Sequence, residues 1–192
     1  MIMDRLLFLV TETGGLDSRT HSLLSLGLVV WDKNDGIIYK KEVCQKLKRY
    51  SVTQEALDVN HFDISLYNPS DILTASQIHE LFLSIADEYF PTIKRLPLAG
   101  HNIQFDSAFL KEMYFKNKLP YDKTFATRMV DTFSLLQFLI HLDLIPAEIN
   151  YSTVAFDYFN IKVNGRHTAL GDSVATAELY TQLLNLIKSK LK

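Results

Sequence analysis

Two nearly uninterrupted apolar runs at the start of the chain constrain its architecture most. Residues 6–10 read Leu-Leu-Phe-Leu-Val, and residues 23–31 form a second run broken only by Ser25 and Gly27. A strand with one wet face alternates apolar and polar residues, whereas a continuously apolar strand needs cover on both faces. These runs therefore call for a sheet enclosed between helices. Each ends in turn chemistry: Thr-Glu-Thr-Gly-Gly follows the first, and Asp32-Lys-Asn-Asp-Gly36 leads the second into residues 37–43. The three together predict a strand meander.

Helical and strand signals alternate after that. Ser70-Asp71 reads as the cap of a helix to about Phe90, with Ile72, Leu73, Ile78, Leu81, Phe82, Ile85 and Ala86 inward and Pro91 ending it. A buried strand is expected at 96–99 and a fifth at 127–131. Asn102 is a reasonable cap for a helix carrying Phe105, Ala108, Phe109 and Met113. Thr132 opens a helix to about His141, residues 152–159 suggest a short helix, and 168–190 a long amphipathic one. The polar region 46–69 reads as a connection or insertion. The pattern is α/β, a mixed five-stranded sheet with helices on both faces, in one domain across residues 1–192.

Composition excludes several functions. With 20 Lys+Arg against 22 Asp+Glu the chain carries −2, so it cannot coat nucleic acid by bulk charge. Its lone Cys44 forms no intramolecular disulfide and no multi-thiolate zinc site, which fits a reducing cytoplasm. The first apolar run is too short for a signal-peptide core or a membrane span, so no membrane association is expected.

Acidic residues stand at the ends of several apolar elements. Glu12 follows the first strand, Asp106 lies in the first turns of the helix after the fourth, and Asp172 begins the last helix. Ligand sites in open α/β sheets form outside the carboxyl ends of strands, where such oxygens could hold Mg²⁺ or Mn²⁺. His167, five residues before Asp172, could act there as a general base. Spacing alone equally allows an exposed turn carboxylate, two acids favouring helix N-termini through the dipole, and a surface histidine.

The combination resembles a known family. Val10-Thr-Glu12-Thr-Gly-Gly-Leu16 is similar to the D-x-E-T-x-G-L motif of the DEDD exonuclease superfamily. His101-Asn-Ile-Gln-Phe-Asp106-Ser-Ala-Phe-Leu110 resembles its H-N-x-x-F-D-x-x-F-L motif, and His167-Thr-Ala-Leu-Gly-Asp172-Ser-Val-Ala-Thr-Ala177 its H-x-A-x-x-D-A-x-A-T motif. The last marks the histidine (DEDDh) branch, which includes DnaQ-like proofreading exonucleases. Leu23-Leu-Ser-Leu-Gly27 resembles the family's second strand, Glu55 to Asn60 the segment before its N-G-I turn, and Asp131-Thr-Phe-Ser-Leu135 its D-T-L-x-L element.

This resemblance implies a ribonuclease H-like sheet and metal-dependent 3′→5′ hydrolysis of single-stranded DNA or RNA ends to nucleoside monophosphates. It implies two divalent cations, Mg²⁺ or Mn²⁺, about 4 Å apart. Glu12, Asp106 and Asp172 would be ligands, and His167 would deprotonate the attacking water. Thr13, Leu16, Asn102 and Phe105 would meet the terminal nucleotide; His61 or Phe62 could stack on a base or simply complete a loop. Some relatives pair as homodimers. Of the basic stretches, Lys40-Lys41 with Lys46, Lys48 and Arg49, and Lys116 with Lys118 and Lys123, either could guide a backbone.

The first motif is incomplete. Val10 stands where the resemblance implies a metal-bridging aspartate, on the same strand face as Glu12, and valine offers no ligand atom. Asp4 lies about 20 Å up an extended strand and Asp17 lies beyond the turn. Loss of a bridging ligand is worth about 4 kcal/mol in the transition state, or about a thousandfold in rate. The alternatives are an engineered inactivation, a natural module that binds or scaffolds nucleic-acid ends, and an active site with altered metal binding.

Overall fold

The computed structural model describes residues 4–191. The two apolar runs are strands because both of their faces are covered. β1 (Arg5–Thr13) and β2 (Leu23–Asp32) pair antiparallel, and every residue of β2 is buried. Alternation along β1 sends Leu7 and Leu9 into one core and Leu6 and Phe8 into the other. β3 (Gly36–Gln45) completes the antiparallel meander after the Asp32–Gly36 turn.

The sheet has six strands in the order β4-β3-β2-β1-β5-β6, one more than predicted. β5 (Leu98–Gly100) and β6 (Val130–Asp131) extend it in parallel beyond β1. Both are shorter than expected, and Leu96 makes only an isolated bridge to Phe125.

The additional strand, β4 (Ile72–Leu73), corrects the predicted helix start. Ile72 and Leu73 pair in parallel with Cys44 and Gln45 instead of facing inward from a helix. Pro69–Asp71 forms a single 3₁₀ turn before them. The helix α2 (Ala75–Tyr89) begins later because Thr74 and Gln77 make a reciprocal capping box. The region 46–69 is not featureless either, since it contains α1 (Gln54–Asn60), capped by the Thr53 side chain.

Helices cover both faces. α2 and α3 (Ile103–Lys116) pack Ile78, Phe82, Phe109 and Tyr114 against Leu7, Leu9, Leu26 and Leu28. α4 (Tyr121–Thr124) is a single turn at the edge of that layer, adding Tyr121 beside Phe125. On the other face α7 (Ala169–Lys190) lays Ala177 and Tyr180 over Phe8, Val29 and Trp31, and Trp31 Nε1 donates to Thr181 Oγ1 at 2.9 Å. α5 (Thr132–His141) and α6 (Ser152–Tyr158) pack on the outer side of α7.

One close approach sets where α7 begins. Gly27 lies on β2 beneath the first turn of α7, and a Cβ there would collide with the backbone of Ala169. Ser173 Oγ donates to the Phe8 carbonyl at 3.3 Å, which fastens the same turn to β1. Gly27→Ala is therefore expected to cost about 1–3 kcal/mol by overpacking, read as a lower denaturation midpoint without change of slope. At the opposite end of the meander, Arg5 Nε donates to Asp32 at 2.8 Å, and this bond, with further ones from the Asn34 and Asp35 amides, holds the Asp32 carboxyl below its ordinary range. An acid shifted down contributes stability above its unfolded pKa and loses it as pH falls through the folded value. Asp32→Asn should therefore lower the thermal midpoint at pH 7, with the difference from the parent protein shrinking as pH falls below the ordinary aspartate range.

Candidate active site

The acidic residues gather where three elements meet. Glu12 belongs to the last turn of pleat in β1, which runs to Thr13, so it lies within the strand and not after it. Asp106 occupies the first turn of α3, and Asp172 the first turn of α7. The Thr11 amide and hydroxyl both donate to Asp106 Oδ1, at 2.7 and 2.9 Å, which ties α3 to β1 and leaves the Asp106 side chain buried.

Burial pushes the Asp106 carboxyl up to about 7, against the pull of the two Thr11 bonds. Burial likewise pushes Glu12 up to about 8, reinforced by the negative charges of Asp172, Glu42 and Asp106 and opposed by Arg166. Several acids thus share one poorly solvated field, the chemistry that a hard divalent cation satisfies. As the side chains stand, no three His, Cys, Asp or Glu among the described residues converge to enclose an ion. Asp106 is held by Thr11, and Asp172 Oδ1 accepts from Arg166 Nη1 at 2.6 Å. The donor set fits a hard cation, whereas Val10 contributes no oxygen beside Glu12.

Glu12 walls two cavities. The first, of 580 Å³, is mainly apolar and is lined by Thr13, Leu16, Ala56, Val59 and Phe105. Its rim is braced by bonds from Asn60 Nδ2 to the Thr13 carbonyl at 3.0 Å and from the Thr53 amide to the Gly14 carbonyl at 2.7 Å. Leu16 is 86% exposed at its lip. The second cavity, of 290 Å³, brings Glu12 together with Glu42, His61, Phe62, Tyr67 and His167. His167 is exposed and left-handed, with φ 62, directly before the Thr168 cap of α7.

Other candidate residues lie apart. Asp106 and Asp172 line neither cavity and reach Glu12 through charge. Asn102 does not cap α3 with its side chain; it adopts φ 57, and its amide donates to Asp131 at 2.8 Å. Asp131 also caps α5 by accepting from the Phe133 amide. Asp17 is exposed and accepts from the Arg19 amide, so the turn does not fold its carboxylate back to Val10. The Phe62 ring packs between Tyr50 and Tyr67, at 5.5 and 6.0 Å.

Two charged residues escaped the sequence reading. Glu42 lies opposite Gly27, which itself lies opposite Val10, so all three occupy one row on one sheet face. Tyr67 Oη and Ser25 Oγ donate to Glu42 at 3.0 and 3.3 Å. Only the register of three strands places it there. Arg166 precedes His167, and its adjacency to that motif was the available signal. The two basic stretches also meet: Arg49 and Lys116 line one groove of 310 Å³ that shares His21 with the apolar cavity. Lys41 is instead paired with Asp71 at 2.9 Å.

Comparison with known proteins agrees with this architecture. The RNase_T family profile, described as Exonuclease, matches residues 8–180, so the chain belongs to that exonuclease family. Ribonuclease T of Haemophilus ducreyi is 26% identical over 185 residues, covering 92% of this chain and 83% of the relative. Ribonuclease T of Histophilus somni is 24% identical over 184 residues, with 92% and 82% covered. Among solved structures, the nuclease domain of 3′hExo, a DEDDh family member bound to rAMP, superposes with a TM-score of 0.75 at 14% identity, covering 95% of this chain and 92% of that one. E. coli Exonuclease I in complex with a dT13 oligonucleotide gives 0.75 at 15% identity over 98% of this chain, which spans 43% of that protein. The ribonuclease H-like α/β fold is thereby established. No helix of the described residues is long and apolar enough to cross a membrane.

The Thr11 clamp yields a direct test. Thr11→Val keeps the strand shape and the backbone donor but removes the hydroxyl from a buried carboxyl. It should cost about 1–3 kcal/mol in urea denaturation.

Proposed function

We propose that this chain is a divalent-cation-dependent 3′→5′ exonuclease that releases nucleoside monophosphates from single-stranded DNA or RNA. The observation that carries the reading is Glu12 as the common wall of an apolar cavity with room for a nucleotide and a polar cavity containing His167. A nucleobase against Leu16 and Phe105 gains stacking and apolar contact without sequence preference, worth about 1–3 kcal/mol. The Thr13 backbone, fixed by Asn60, borders the sugar. The upstream strand leaves past His21 along the groove that holds Arg49 and Lys116, the latter paired with Glu112 at 3.4 Å. Solved neighbours bound to dT13 and to rAMP support a single strand and a terminal nucleotide as occupants.

In this reading Glu12, Asp106 and Asp172 hold Mg²⁺ or Mn²⁺, two ions being what the family resemblance implies. Such a cation, when bound, polarises the phosphate and stabilises the charge that develops on its oxygens. His167 takes the proton of the attacking water on an imidazole nitrogen, its exposed position allowing it to swing over the phosphate. Asp106 is fixed by Thr11, so its donor oxygen is positioned before substrate arrives. The elements that meet at the site come from one chain, so a homodimer is not needed to complete the acids.

A second reading, an end-binding module with weakened catalysis, draws on Val10. The two separate in one assay: end-labelled single-stranded DNA and RNA incubated with Mg²⁺ or Mn²⁺. The chain is expected to release mononucleotides slowly, Val10→Asp faster by up to about a thousandfold, and His167→Ala slower than the parent by about 10²–10⁴. Retention of labelled strands with no cleavage by any of the three proteins would establish the end-binding module instead.

A further inference from the structure

Arg166 is built into the site more firmly than a surface arginine. Its Nη1 donates to Asp172 Oδ1 at 2.6 Å and its Nη2 to Thr153 Oγ1 at 2.7 Å. The guanidinium carbon also stands 5.5 Å from the centre of the Phe156 ring. Thr153 and Phe156 both belong to α6, so this helix presents a fixed cation to the first turn of α7. Planarity and ring contact keep the guanidinium preorganised, and its charge is permanent.

The surrounding charges are otherwise acidic. Asp172, Glu42 and Asp106 act on Glu12, and Asp131 adds to the field at Asp106. Arg166 is the cation that offsets them at Glu12, and its field reaches His101 as well. Glu42 is engaged by Tyr67 and Ser25, and Val10 supplies no oxygen.

We infer that Arg166 occupies one cation position of the site, so that the chain binds one divalent cation and not two. The inference rests on the reading of Glu12, Asp106 and Asp172 as cation ligands. A second ion on Asp172 would share an oxygen already bonded to a guanidinium and would meet that positive charge at close range. A guanidinium held by Asp172, Thr153 and the Phe156 ring supplies positive charge beside the acids without the reorganisation that a mobile ion requires. Arg166 thus positions Asp172 and supplies charge in the same act.

Mn²⁺ titration followed by the electron paramagnetic resonance signal of the free ion tests this without reference to activity. The parent chain and Val10→Asp should each saturate at one Mn²⁺, and Arg166→Gln should bind its ion about tenfold more tightly. The Val10→Asp/Arg166→Gln double variant should saturate at two. Two ions in the parent or in Val10→Asp, or one in the double variant, overturns the role of Arg166 and leaves the cation site standing. No Mn²⁺ bound by any of the proteins overturns the cation site itself. Should circular dichroism show the double variant unfolded, Thr153→Val decides: it leaves every charge in place but frees one arm of Arg166, and severalfold tighter Mn²⁺ binding is expected, unchanged binding refuting the inference.

Discussion

The approach of α7 to the sheet over Gly27 is the constraint on which the rest depends. The first turn of this helix lies where any β2 side chain would stand, and the contact is possible because glycine leaves that row open. Ser173 then bonds the Phe8 carbonyl, and Leu170, Val174 and Tyr180 reach the core formed by Leu6, Phe8, Val29 and Trp31. Asp172 is carried with that turn, and Arg166, His167 and Thr168 immediately precede it. One steric permission in β2 therefore decides how far four polar residues stand from Glu12, although Gly27 touches no substrate.

A second tie, from Thr11 to Asp106, performs the same service on the opposite face. Thr11 points away from Val10 and Glu12 by the strand's alternation, yet its amide and hydroxyl converge on one carboxylate oxygen. The consequence is an acid-rich site whose members are held by neighbours that are not acids. Burial raises the proton affinity of Glu12 and Asp106, and at Glu12 the fixed guanidinium of Arg166 opposes the rise.

Much of this was legible before any coordinates. The meander followed from runs too apolar for an exposed strand face, and the helix opened by Thr132 and the one beginning near Ser152 were also read from the sequence, although Asp131 caps the first and no side chain caps the second. The start of α2 was not, because Ile72 and Leu73 fit a helical face as well as a strand. Pairing with Cys44 and Gln45 decided for the strand, and the Thr74–Gln77 capping box then fixed the helix start. Asn102 shows the converse: a good capping residue by type, it is held left-handed by the bond of its amide to Asp131, 29 residues further along the chain in a different element. Glu42 was invisible for the same kind of reason, since β3 alternates weakly and nothing local distinguishes its carboxylate from the neighbouring Lys40 and Lys41.

By itself the sequence determined that a sheet would be covered on both faces, that residues 10 and 12 would project together, and that the acids would stand at element ends, because these follow from periods of two and 3.6 along a covalent chain. It also carried the family resemblance in three motifs. Tertiary structure alone decided that Glu42 joins the row of Val10 through a glycine, that Arg49 and Lys116 share one groove, and that Arg166 closes on Asp172 from a footing on α6. Those relations depend on strand register and helix docking, which are set by packing between residues far apart in the chain and leave no periodic trace in the order of amino acids.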